Sequence, residues 1–288
     1  MTEEKKKTIA DELAANYPQL LLPVREGESR SEEYRNAVLR GSPVPFEAAF
    51  TCSPEDRITE TETPVGPVNI IYFAIREDFE HALRALAYKC EPVNIIPSVG
   101  ASTISGLINW QKIRLQRAIY LASGGTDWSA EFKRFTADKG NYTDTVILLS
   151  GGYYSAIDPG EVGMTPEEWK ACSYRIRMYH ELTHFVCRKK YPGNIDNIRD
   201  EVMADAVGIV AATGKYDIQL AKMFLGIDGA SVKTGGRITH YVNENELEEA
   251  VLRANKWITM FYDVLRGLYG RDIFEIIIEL FDLSNKNM

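Results

Sequence analysis

A long helix with a clear start and a clear stop is the feature that most constrains this chain. Thr165 precedes Pro-Glu-Glu, so Thr165 can cap a helix, Pro166 can take its first position and Glu168 can complete a capping box. The next strong break is Tyr-Pro-Gly-Asn at 191–194. We therefore predict one helix over residues 166–190.

The remaining apolar patterns predict an α+β fold whose C-terminal half is predominantly helical. In that half, the periodicity predicts helices at about 195–212, 217–225, 245–266 and 271–282, the last one buried because it is rich in Ile and Phe. Earlier in the chain we predict strands at 65–75 and 143–149, helices at 8–16, 78–89, 107–121 and 128–137, and a Pro- and Gly-rich loop at 92–106.

Two segments are expected along the chain. Residues 1–60 contain several prolines and few apolar stripes, which predicts a partly irregular N-terminal extension. Residues 61–288 are expected to form one domain. Within it, 61–160 supply a small mixed sheet and helices, 166–213 the central helices and 216–288 the C-terminal helices.

Two of the four histidines lie in the long helix, in the sequence His-Glu-Leu-Thr-His at 180–184. Residues four apart share a helix face, so His180 and His184 can both bind one metal ion. Glu181 beside them can take a proton from a water that the ion activates. Such a nitrogen-rich, open site predicts zinc, with one ion per chain.

A third ligand is expected from the following helix. If the loop at 191–194 turns that helix back, equal residue counts place Glu201 level with His184 and Asp205 level with His180. Glu201 is then the expected third ligand, and Asp205 can accept a hydrogen bond from the far nitrogen of His180. Asp205 and Asp200 remain substitutes for Glu201, although Asp200 also suits a helix N-terminus.

These motifs resemble those of the gluzincin metallopeptidases, which carry H-E-x-x-H on one helix and E-x-x-x-D on a following one. Here the second motif is Glu-Val-Met-Ala-Asp at 201–205, and with Gly208 it is similar to the form in prenyl-protein-processing and related housekeeping peptidases. The resemblance covers about residues 170–212. It implies a zincin-like fold, with a small mixed sheet packed on the active-site helix.

The resemblance also implies that an edge strand of the sheet pairs with an extended substrate. The strand at Thr143–Leu149, which leads into Gly151 and Gly152, is the candidate, because glycine permits close backbone approach. The alternative is an ordinary core strand that ends in a turn.

A further electrophile for the developing oxyanion is implied as well, because gluzincins use a His or Tyr from beyond the third ligand. His240 and Tyr241, after a Gly-Gly-Arg loop, are the candidates, with His240 placed first as a catalytic residue. A histidine in a loop can equally be a surface residue. His81 lies in a charged amphipathic helix, and we expect no catalytic part for it.

Net charge, apolar content and cysteine content indicate which kinds of partner and which cellular compartment to expect. The 33 Lys and Arg against 41 Asp and Glu give a net charge of -8, which disfavours nucleic acid as a partner. No apolar run has the length of a membrane span or a secretion signal, so a soluble protein without a membrane partner is expected. The four cysteines form no C-x-x-C pair, which predicts reduced thiols and a cytoplasmic location.

The sequence thus predicts a soluble zinc-dependent metallopeptidase that acts on a peptide or protein substrate. Glu181 is the expected general base for a zinc-activated water. The alternative is a metal-binding regulatory or interaction protein with a zincin fold and no peptidase turnover. A purely structural site has no need of a general base, which favours the enzyme.

Overall fold

The computed structural model describes residues 8–45, 49–193, 196–229 and 231–286. The helices described are α1 Ile9–Asn16, α2 Glu32–Tyr34, α3 Arg76–Leu86, α4 Trp110–Ala122, α5 Trp128–Thr136, α6 Pro166–Lys190, α7 Asn197–Thr213, α8 Ile218–Leu225, α9 Leu247–Leu265 and α10 Ile273–Asn285. The strands are β1 Arg57–Thr61, β2 Val68–Phe73, β3 Ala101–Ile108, β4 Thr143–Ser150, β5 Ile227–Asp228 and β6 Ser231–Val232. The predicted α+β class is confirmed.

The chain divides into two compact units, and the division differs from the predicted segments. Unit 1 spans residues 1–59, 69–95 and 103–150, and unit 2 spans 60–68, 96–102 and 151–288. Residues 8–45 and 49–59 are thus grouped with later residues of the chain in unit 1. Within unit 1, α1 buries Ala10 and Leu13, and the helical turn after it buries Leu20.

The larger sheet has four strands in the order β1-β2-β4-β3. Strand β2 pairs with β4 in parallel, with Ile70 opposite Ile147 and Phe73 opposite Ser150. The prediction that residues 143–149 form an edge strand is wrong, because β4 has a neighbour on each side. Its run Val146–Leu149 is wholly buried, as is typical of a parallel strand covered on both faces.

Two strands of the larger sheet were missed by the sequence patterns, as were the two-residue strands β5 and β6. The predicted loop at 92–106 contains the first part of β3, whose alternation is interrupted by Gly106 at a φ of +77°. Strand β1 is short, largely polar and mostly exposed, so it carries no apolar signal.

The long helix of unit 2 lies where the sequence predicts it. Thr165 accepts a hydrogen bond from the Glu168 amide and the Glu168 carboxylate accepts one from the Thr165 amide, which completes the capping box. The second helix, α7, begins at Asn197 with Asp196 as its cap. Residues 194 and 195, where the loop was expected to end and the helix to begin, lie outside the described residues.

Helices α6 and α7 pack closely along each other. Gly208 makes this approach possible, because a Cβ atom there would stand 2.8 Å from the carbonyl oxygen of Ile176 and 3.0 Å from its Cγ2. Leu182 on α6 and Val207 on α7 are completely buried. The remaining helices of this unit pack on α7, and α10 is buried as predicted through Ile276, Ile277, Leu280 and Phe281.

Two further expectations concern the state of the cysteine thiols and the presence of membrane-spanning helices. All four cysteines are free, as predicted; Cys90 and Cys187 are buried, and Cys52 and Cys172 are half-buried. Among the described helices, none combines the length and the apolar character that crossing a membrane requires.

We expect Gly208→Ala to lower the free energy of unfolding by about 1–3 kcal/mol, because the added methyl group must push α6 and α7 apart. Differential scanning calorimetry should show a lower unfolding temperature. Gly267→Ala is the matched control, because a Cβ atom there would meet its nearest neighbour at 3.6 Å, an ordinary contact. An equal unfolding temperature for the two variants would contradict the close-packing argument.

Candidate metal centre

Three side chains on α6 and α7 bring their ligand atoms together in unit 2. The Nε2 atoms of His180 and His184 lie 3.1 Å apart, one turn from each other on α6. Glu201 on α7 places Oε1 3.2 Å from Nε2 of His184 and Oε2 3.5 Å from Nε2 of His180. The predicted pairing of levels between the two helices is therefore confirmed, and these three residues could hold a metal ion.

The separations can be compared with those in a zinc site. An ion with four tetrahedral bonds of about 2.0–2.2 Å holds its ligand atoms about 3.3–3.6 Å apart. The three distances of 3.1, 3.2 and 3.5 Å lie within about 0.2 Å of that range. Two imidazoles and one carboxylate are also a donor set that zinc accepts. The residues present therefore fit the ion, and they leave a fourth coordination position to other groups.

Burial and charge act on these ligands in opposite directions. Both histidines are 7% exposed. Burial alone disfavours the charged imidazole, but the facing carboxylate of Glu201 outweighs it and raises the pKa of His184. Burial likewise disfavours the Glu201 carboxylate, yet the two histidines and Arg237 hold its pKa far below the ordinary value. The pocket therefore favours a positive charge beside Glu201.

The second ring nitrogen of His180, Nδ1, is held in place by Asp205 and Tyr154. Nδ1 lies 2.9 Å from Oδ1 of Asp205 and 2.9 Å from the hydroxyl of Tyr154, which itself donates to the same Oδ1 at 2.6 Å. A carboxylate can only accept, so these contacts place the proton of the neutral imidazole on Nδ1. Nε2 of His180 is then left free to bind a metal ion.

Arg237 completes this arrangement and was not predicted as a site residue. Its Nη2 forms a salt bridge with Oδ2 of Asp205, and its Nη1 donates to the Tyr154 hydroxyl at 3.0 Å. Asp205 is completely buried. Burial alone would raise the pKa of the Asp205 carboxyl, but the guanidinium of Arg237 outweighs it and lowers that pKa.

Tyr154 was also missed, because its chain segment is remote in sequence from α6. Its amide donates to the hydroxyl of Ser173 at 2.9 Å, and Arg177 on α6 donates to the carbonyl oxygen of Tyr153 at 2.5 Å. The next residue, Ser155, has a left-handed φ of 51°, which is costly outside glycine. The flanking glycines at 151 and 152 were the only sequence signal of an unusual backbone.

Glu181 and Asp200, two acids considered for the site, lie in different surroundings. Glu181 is 8% exposed, follows His180 on α6, and its charge contributes to the raised pKa of His184. Asp200 lies in the first turn of α7 and pairs with Arg199 at 2.8 Å. Asp200 is thus engaged at the helix start rather than grouped with the histidines, as the helix-terminus alternative anticipated.

The structure separates the two candidates for the further electrophile. His240 ends a short helical turn at an exposed position, and within the described ranges no hydrogen bond or ion pair joins it to the cluster. Tyr241, the next residue, is close enough to Glu201 and Arg237 to interact with both electrostatically. Burial raises the pKa of the Tyr241 hydroxyl well above its ordinary value, so it stays protonated. Tyr241 is at the centre, whereas His240 is not.

We expect Arg237→Gln to weaken zinc binding by about 10- to 100-fold, because Asp205 loses the partner that holds it against His180. The same variant should unfold more easily by about 3–5 kcal/mol, since it leaves a buried carboxylate unpaired. Competition with a chromophoric chelator measures the first effect and calorimetry the second. The double variant Asp205→Asn/Arg237→Gln removes both charges and should recover stability but not affinity. Wild-type affinity in Arg237→Gln would refute the positioning role.

No curated protein and no solved structure gives a significant match to this chain. A comparison with protein families matches residues 1–261, most of the chain. The chain therefore belongs to the family of unknown function DUF7005.

Proposed function

We propose that this protein is a zinc-dependent metallopeptidase of the zincin type, with α6 as its active-site helix. The observation that carries the proposal is the set of three ligand atoms 3.1–3.5 Å apart, with the buried acid Glu181 on the same helix turn. A zinc ion, when bound, supplies a Lewis acid that polarises a carbonyl group and lowers the pKa of water. A peptide or protein is the substrate class that this chemistry serves.

The side chains of the centre have distinct tasks in this proposal. His180, His184 and Glu201 hold the ion, and Asp205 orients His180 through its Nδ1 proton. Glu181 accepts a proton from the attacking water and passes it to the leaving amine. The low exposure of Glu181 supports this role, because bulk water competes less for the proton in a shielded site.

Tyr241 takes the part for which His240 was the first candidate. A protonated phenol can donate a hydrogen bond to the oxyanion that develops during attack on a carbonyl. Tyr241 is near enough to Glu201 to interact with it electrostatically, while His240 is exposed. The four free thiols support a reducing compartment such as the cytoplasm as the place where the enzyme works.

We expect about one zinc ion per purified chain, measured by inductively coupled plasma mass spectrometry after dialysis. His184→Gln should lose most of this zinc, because only two ligands remain. His240→Gln is the matched control, and its zinc content should equal that of the wild type. Metal-free wild-type protein that still takes up no added zinc would refute the proposal.

Glu181→Gln should keep its zinc and lose peptidase activity by about 10²- to 10⁴-fold, because the amide cannot accept the proton. Activity is measured by mass spectrometry on a mixed peptide library. Glu167→Gln, an exposed position in the first turn of α6, should leave the rate unchanged. Zinc-loaded wild type that cleaves nothing in the library would instead favour a metal-binding protein without turnover.

A further inference from the structure

A cavity of about 410 Å³ in unit 2 adjoins the metal centre, because His184 and Glu201 are among its lining residues. Its lining also includes Cys187, Met203 and Phe281, all of them largely buried. A space of this size accepts a large side chain with part of the backbone that carries it. A group that reaches the metal centre can therefore place its neighbour in this cavity.

One wall of the cavity is aromatic and held in place. The ring of Tyr191 stacks on that of Phe281 with centroids 4.1 Å apart, and the Tyr191 hydroxyl donates to Asp282 at 2.6 Å. The guanidinium of Arg199 lies over the Phe281 ring at 4.8 Å. Such a wall offers a large apolar side chain a preformed surface.

Among the described residues that line the cavity, Arg188 is a cation that a ligand could use. Asp200, which also lines the cavity, is paired with Arg199 at 2.8 Å, and Glu201 faces the two histidines. Arg188 also lines the cavity, is exposed, and makes no salt bridge with another described residue. Because it follows His184 by four positions, it lies on the same face of α6, about 6 Å further along the axis.

We infer that this cavity binds the substrate residue beside the cleaved bond, and that it selects a large apolar side chain accompanied by a carboxylate on Arg188. The carboxylate is either the C-terminus of the substrate or an adjacent acidic side chain, since both present the same planar pair of oxygens to a guanidinium. Assigning the ligand to a substrate rests on the proposed metallopeptidase function, whereas binding to the cavity does not require turnover.

Isothermal titration calorimetry on the full-chain Glu181→Gln protein with zinc added tests the inference without hydrolysis. The probes are N-acetylphenylalanine, its amide, N-acetylphenylalanyl-glutamate α-amide, whose side-chain carboxylate is free, and N-acetylalanine. We expect at least one of the two acidic phenylalanine probes to bind about tenfold more tightly than the amide. The probe that does so identifies the source of the carboxylate, and N-acetylalanine should bind more weakly than N-acetylphenylalanine.

Variants test separately the cation Arg188, the exposed edge of the cavity at Asn197 and its buried part at Met203. Arg188→Gln should abolish the tenfold preference, while Lys189→Gln, an adjacent exposed cation outside the cavity lining, should preserve it. Asn197→Trp at the exposed edge and Met203→Phe in the buried part should each reduce binding of all the phenylalanine probes. The edge variant keeps the test valid if the buried variant fails to fold.

A preference for acidic probes that persists in Arg188→Gln would overturn the inference, because the carboxylate would then bind elsewhere, such as on the ion. Equal affinity for all four probes would overturn it too. If the cavity binds as expected but the wild type cleaves no peptide, the proposed function fails and the cavity assignment stands. If peptides are cleaved with a selectivity that Arg188→Gln leaves unchanged, the cavity assignment alone fails.

Discussion

The close approach of α6 and α7 is the constraint on which the candidate metal centre depends. Each helix contributes only part of the cluster, and side chains of limited length must meet across the gap, so the two helices must pack closely. Gly208 allows this, since a Cβ atom there would collide with the backbone of Ile176. The cluster then assembles from ordinary helix geometry, because positions four apart on each helix face the same gap.

Charge balance is the second physical theme of the centre. Glu201 and Asp205 bring two carboxylates into a largely buried volume, where Arg237 pairs with Asp205 and the two histidines face Glu201. Buried charges are tolerated when they are paired, so this arrangement favours a positive charge beside Glu201. The raised pKa of His184 and the lowered pKa of Glu201 reflect this pairing.

Several features of the centre were predictable because they depend on local rules. The capping box of α6 and the four-residue spacing of the histidines are visible in the sequence, and counting from the loop correctly placed Asp205 beside His180. The same approach failed where long-range pairing decides. Whether β4 lies at an edge depends on which strands join it, and β3 comes from a segment whose glycines and prolines predicted a loop.

By itself, the sequence determined the two helices, the residues they present to each other and the chemical types of the metal ligands, because helical spacing and capping act within a few residues. Only the tertiary structure brings Tyr154 and Arg237, which are 26 and 57 residues from His180 in the sequence, to the Asp205 side of His180. It alone also decides that Tyr241 rather than His240 lies near Glu201. Those partners lie in or beside short helical turns, whose positions are set by burial and by hydrogen bonds to distant groups rather than by a repeating pattern along the chain.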